Sequence, residues 1–151
     1  MDPFSISVGI VGLLGACVKV GTELKRFHDD IGAVGDAVGE MRNDLGALVR
    51  VLDAMRVTFD GLTETWGHTS NSRGQVVDAH WDNIRLSLHD GKRILAGLQD
   101  EVARVNKEVS ILGGPRKLVR LRSAEVRIAR FRHQVHDFRD TLQISLQALI
   151  L

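Results

Sequence analysis

Four long runs of this chain place apolar residues at alternating steps of three and four, a period that belongs to the α-helix and not to the strand. The first ladder is Ile6, Ile10, Leu13, Cys17, Val20, Leu24 and Phe27. The second is Ile31, Val34, Val38, Met41, Leu45, Leu48, Leu52, Met55, Phe59 and Leu62. The third is Val77, Trp81, Ile84, Leu88, Gly91, Leu95, Leu98, Val102, Val105, Val109 and Leu112, and the fourth is Leu121, Ala124, Ile128, Phe131, Val135, Phe138, Leu142, Ser145 and Leu149. Sustained ladders of this kind are coiled-coil-like seams, and each needs other seams to bury it. Breakers separate them at Asp29 to Gly35, Gly67 to Gly74 and Gly113-Gly114-Pro115. Aromatic residues at 5% and the absence of tyrosine weigh against an all-β fold. The expected fold is all-α, an up-and-down bundle of four long helices at about 4–29, 35–64, 75–112 and 117–151 in a single domain over 1–151. The run Leu-Gln-Ala-Leu-Ile-Leu at the end carries no cap, so the expectation is an N-terminal module of a longer protein.

The first helix is apolar beyond what one seam requires. No charge lies between Asp2 and Lys19, and Val8, Val11 and Val18 form a second apolar face beside the ladder. A helix that is apolar all round is buried in protein or inserted in lipid. Leaving Val8, Val11 and Val18 in water would expose a patch that monomers rarely tolerate, so they are expected to face the bundle core or a second subunit. Pro3 to Val18 reaches roughly 24 Å, short of a roughly 30 Å hydrocarbon core. Phe4, Ile6, Val8, Ile10, Val11, Leu13, Leu14 and Val18 together favour insertion by on the order of 3 kcal/mol, about the cost of one centrally placed lysine. Insertion would therefore be conditional. Asp2 argues against a signal peptide, although Leu13-Leu14-Gly15-Ala16-Cys17 loosely resembles a lipoprotein cleavage site. The single Cys17 excludes an internal disulfide and fits a reducing compartment.

Gly9, Gly12 and Gly15 each cost up to about 1 kcal/mol inside a helix relative to alanine. Two compensations are open: close approach of neighbouring helices in the bundle core, or small-residue packing in a membrane, for which Gly12 and Ala16 have the right spacing.

Charge is unevenly spread. From Arg116 to Arg139 eight basic residues stand against Glu125 and Asp137, so with +1 overall the rest of the chain carries about −5. Arg116, Lys117, Arg120, Arg122, Arg127, Arg130 and Arg132 are candidate contacts for anionic lipid, the alternative being a solvated helix face. On the lipid reading, reversing Arg120, Arg127 and Arg130 weakens vesicle binding and leaves the fold intact. Nucleic acid is not an expected partner, because the domain is nearly neutral and carries no recognition-module signature.

Catalytic chemistry finds no footing in the sequence. His133 and His136 are the only close histidine pair, with no cysteine or glutamate in a ligand pattern beside them. HExxH, a Walker A loop and a di-iron Glu-x-x-His pattern are missing, and no Ser, Cys and His constellation follows from spacing. No enzyme activity, cofactor or metal is expected.

The opening MDPFSISVGIVGLLGACVKVGTELKRF, followed by a heptad helix containing LGALVRVLDAM, resembles the fungal HeLo-like domain, the N-terminal domain of many fungal NOD-like receptors. The likeness is strongest over residues 1 to about 60 and continues more loosely through FRHQVHDFRDTLQISLQAL. Gly91 interrupts the third seam and departs from the family pattern. The resemblance implies a helical bundle, related to HeLo and to the four-helix executioner domain of necroptosis, that permeabilises membranes in fungal incompatibility and cell death. It implies that the N-terminal helix, here Phe4 to Val18, is the membrane-active part. A cytoplasmic protein relocating to the plasma membrane would follow, homo-oligomeric when active, with its regulatory domain or partner outside this chain. The alternative is an interaction or oligomerisation bundle in which the surplus apolar face of the first helix fills a dimer interface.

Overall fold

The computed structural model describes residues 3–31, 36–66 and 74–150, and the side chains of 6–29, 38–61 and 81–148. Four helices occupy them: α1 (Pro3–Ile31), α2 (Asp36–Trp66), α3 (Gly74–Val109) and α4 (Pro115–Ile150). The chain is an all-α four-helix bundle with an apolar N-terminal helix. Every described ladder side chain on α1 and α2 is buried, from Ile6 to Phe27 and from Val38 to Phe59. Trp81, Ile84, Leu88 and Leu95 to Val109 on α3, and Leu121, Ala124, Ile128, Val135, Phe138 and Leu142 on α4, complete one continuous core. Phe131 and Ser145 are half-buried at its margin. The ladder side chains of Ile31, Val34, Leu62, Val77 and Leu149 lie outside the described residues.

The ladder read to Leu112 overshoots the end of α3, which stops at Val109. Ile111 N–H donates to the Glu108 carbonyl and Leu112 N–H to that of Val109, i to i−3 bonds that tighten the last turn. Gly114 then takes φ +63°, a left-handed conformation that glycine enters without steric cost, and Pro115 opens α4 with its φ already helical.

The order of helices around the bundle differs from a plain up-and-down ring. Gly9 on α1 lies 3.5 Å (measured from an ideal Cβ) from Leu88 on α3, and Glu23 near the end of α1 meets Asn106 near the end of α3, so α1 and α3 run parallel. Glu101 pairs with Arg127 and Glu108 with Arg120, so α4 runs antiparallel to α3. Asp44 pairs with Arg132, and Ala47 and Ala54 line one groove with Arg139 and Leu146, so α2 and α4 are parallel. The helices alternate in direction, but the packed neighbours run α1, α2, α4, α3 around the ring, with α1 diagonal to α4 and α2 diagonal to α3. A three–four seam states which face is buried and not which helix it meets, so periodicity could not supply this order.

Shape supplies part of it. Gly91, which interrupts the apolar ladder of α3, holds a seam position left open for a ring: an alanine methyl there would sit 2.1 Å from Phe138 Cζ on α4. Gly97 admits Phe131 in the same way, with its closest ring atom 3.2 Å from the would-be Cβ. At the other end Phe59 and Trp81 meet across the diagonal, ring centroids 4.9 Å apart and planes tilted by 43°.

Candidate functional site

The structure divides the candidate membrane residues of α1 into two faces. Ile6, Ile10 and Leu13 are core residues, Leu14 is half-buried against the core, and the side chain of Phe4 lies outside the described residues. Val8, Val11 and Val18 do not face the core, contrary to one arm of the expectation: they are 56%, 55% and 67% exposed. The reason is register, because the seam 6-10-13-17 points the intervening positions outward. Gly12 and Gly15 share that outer face and have open space around them, so close helix approach within the bundle does not compensate their cost. Only Gly9 meets a neighbour, Leu88. The outer face is therefore uncharged from Val8 to Val18 and becomes polar with Lys19, Thr22, Lys25, Arg26 and Asp29.

By length and composition α1 is the one described helix able to cross a membrane, over the 24 residues Ile6–Asp29. That is roughly 36 Å of helix, so the charges beginning at Lys19, and not length, are what oppose insertion.

Polar fastening is equally uneven. Arg120 pairs with Glu108, Arg127 with Glu101 at 3.2 Å, and Arg132 with Glu40 and with Asp44, the latter at 2.8 Å. The Arg120 guanidinium hydrogen-bonded to Glu108 holds that carboxyl below its usual range, and Asp44 and Glu40 raise the Arg132 guanidinium further. These pairs tie α4 to both α3 and α2. Reversing Arg120 and Arg127 would therefore set like charges against Glu108 and Glu101 as well as act on any lipid contact. Arg116, Arg122 and Arg130 are exposed, and Lys117 is half-buried; none of the four has a partner among the described residues.

Among the described residues α1 has a single polar tie to another helix. The Asn106 amide Nδ2 donates to the Glu23 carbonyl at 3.0 Å and to the Glu23 carboxylate at 2.9 Å, while its buried Oδ1 has no protein partner. Asn106 is 6% exposed and the only buried polar side chain among the described residues. Sequence reading passed over it, although an asparagine wedged between Val105 and Val109 is a visible anomaly in a seam. Cys17, buried on the core side of α1, has its thiol pushed up to about 11 by desolvation.

The two candidate surfaces also stand apart. Helix α1 and helix α4 occupy opposite corners, and the antiparallel course of α4 puts its basic N-terminal half at the end away from Val8 and Val11. His136 sits 3.4 Å from Asp140 and 3.0 Å from an Arg139 nitrogen, and His133 is exposed without joining them. No family model, curated protein or solved structure matches this chain.

Proposed function

We propose that this chain is a membrane-permeabilising effector domain of the HeLo-like kind, a cell-death module of fungal immunity or incompatibility, with α1 as the element that leaves the bundle for a bilayer. The observation that supports this reading is the way α1 is held: a wholly apolar seam, one amide tie, and a second apolar face already turned outward. Burying its seven ladder side chains contributes roughly 1.5–3 kcal/mol each, so release into water costs on the order of 10 kcal/mol or more. Release into hydrocarbon does not carry that cost, because lipid chains are as apolar as leucine. Lipid also covers Val8, Val11 and Val18, and small-residue packing between inserted copies gives Gly12 and Gly15 a role that the bundle does not. On this reading the protein is cytoplasmic until triggered, then oligomeric at the plasma membrane.

The same outward face supports a second reading, an oligomerisation module whose Val8, Val11 and Val18 meet another copy without membrane activity. A nitrobenzoxadiazole probe on Val11→Cys separates the two, since Cys17, buried and with its thiol near 11, stays unlabelled at neutral pH. With anionic vesicles the effector reading expects a blue-shifted probe together with release of trapped dye. A probe shielded in vesicle-free solution at high protein concentration, with no dye released on adding vesicles, supports the oligomerisation module and sinks the effector.

A further inference from the structure

The basic run of α4 contains two kinds of arginine, and the second kind lies among exposed aliphatic residues. Opposite the seam Leu121, Ala124 and Ile128, the outer line of α4 reads Val119, Arg122, Val126 and Arg130, steps of three and four that return to one face. Val119 and Val126 are 69% and 59% exposed, and Leu118 flanks them. Arg116 stands one turn back along the helix, and Ile111, 83% exposed, projects from the adjoining α3–α4 turn. Continued along this line, the first carboxylate is Asp137, about six helical turns from Arg116.

We propose that this face is a peripheral docking surface for an anionic bilayer, used by the closed bundle before α1 moves. Guanidinium groups interleaved with short aliphatic side chains match a headgroup layer, where phosphate lies beside the first methylenes of the acyl chains. An acidic protein surface would satisfy Arg116, Arg122 and Arg130 but would set Ile111, Val119 and Val126 against polar groups. The arginines that hold the bundle together, Arg120, Arg127 and Arg132, are excluded from this surface by their carboxylate partners. Docking here leaves α1 at the far corner of the ring, so attachment and insertion are separate steps. This inference refines the lipid-facing part of the proposed function, and its failure can be told from failure of α1 insertion.

The test uses the whole chain and vesicles of phosphatidylcholine with and without phosphatidylserine. Neutralising the face with Arg116→Gln, Arg122→Gln and Arg130→Gln is expected to lower affinity for the anionic vesicles about a hundredfold, three contributions of roughly fivefold each. A charge-matched variant at exposed sites on the other helices, Arg42→Gln, Arg85→Gln and Arg93→Gln, is expected to lose far less. A nitrobenzoxadiazole probe on Val126→Cys should shift to the blue on binding whether or not the probe on Val11→Cys does. Equal losses in both triple variants, a Val126 probe that stays in water on bound protein, or preference for polyglutamate over vesicles would overturn the docking surface. A shift at Val126 with none at Val11 upholds it and counts against insertion of α1.

Discussion

Helices α1 and α4 occupy opposite corners of one bundle and both bury an apolar seam in its core, but among the described residues only α4 adds ion pairs to its neighbours. Helix α4 is fastened through Arg120, Arg127 and Arg132 to carboxylates on both of its neighbours. Among the described residues helix α1 is held by apolar contact and one asparagine amide. Ion pairs are directional and depend on a named partner, whereas apolar burial is non-directional and is satisfied equally well by any dry surroundings. A helix of the second kind can exchange a protein environment for a lipid one without leaving unpaired charge behind.

The largest expected effect contrasts the two faces of α1. Leu13 is buried, so Leu13→Glu places an unpaired ion in the core and should cost several kcal/mol, seen as loss of the cooperative thermal transition. Val11→Glu, on the outer face, should change stability by no more than about 0.5 kcal/mol while opposing insertion by roughly 3 kcal/mol, near a hundredfold in dye release. If Val11→Glu releases dye as the parent does, α1 is not the membrane-active helix and the contrast with α4 has no functional meaning.

A smaller effect probes how α4 is seated. Gly91→Ala drives a methyl into the Phe138 ring and should destabilise by about 1–3 kcal/mol in chemical denaturation, with Phe138→Leu restoring part of the loss in the double variant. An additive double variant would mean that the glycine slot does not position α4.

The smallest concerns pH. The folded-state carboxyl of Glu108 lies below its ordinary value because of Arg120, so the pair contributes stability above about pH 4.3 that is lost as pH falls through the lowered value. Arg120→Gln should therefore lower the thermal midpoint slightly near pH 7 and flatten the acid limb, the variant's midpoint converging on the parent's as pH falls through the lowered value. An acid limb identical to the parent's would show that the Glu108 pair contributes nothing to fastening α4.

The seams were legible because burial repeats with the helical period, and the described ladder positions on α1 and α2 are core. Partner choice was not, since it depends on side-chain shape and on pairs far apart in sequence: Gly91 read as a gap until Phe138 filled it, and Arg132 read as part of a basic run until Asp44, 88 positions away, claimed it. Val8, Val11 and Val18 marked a second apolar face correctly, but a one-chain pattern could not say whether the bundle would cover it. The outer aliphatic residues of α4 were missed because the arginines beside them dominated the charge count.

The order of helices around the ring has a consequence for what remains once α1 is gone. A ring of four members that loses one becomes an open row of three, and the member opposite the vacancy becomes its middle. Here that middle is α4, and the Arg120, Arg127 and Arg132 pairs all join it to the two helices left at its sides. Departure of any other helix would break at least one of those pairs. Departure of α1 breaks none, so it is the one departure that leaves a three-helix remnant with all of those pairs intact.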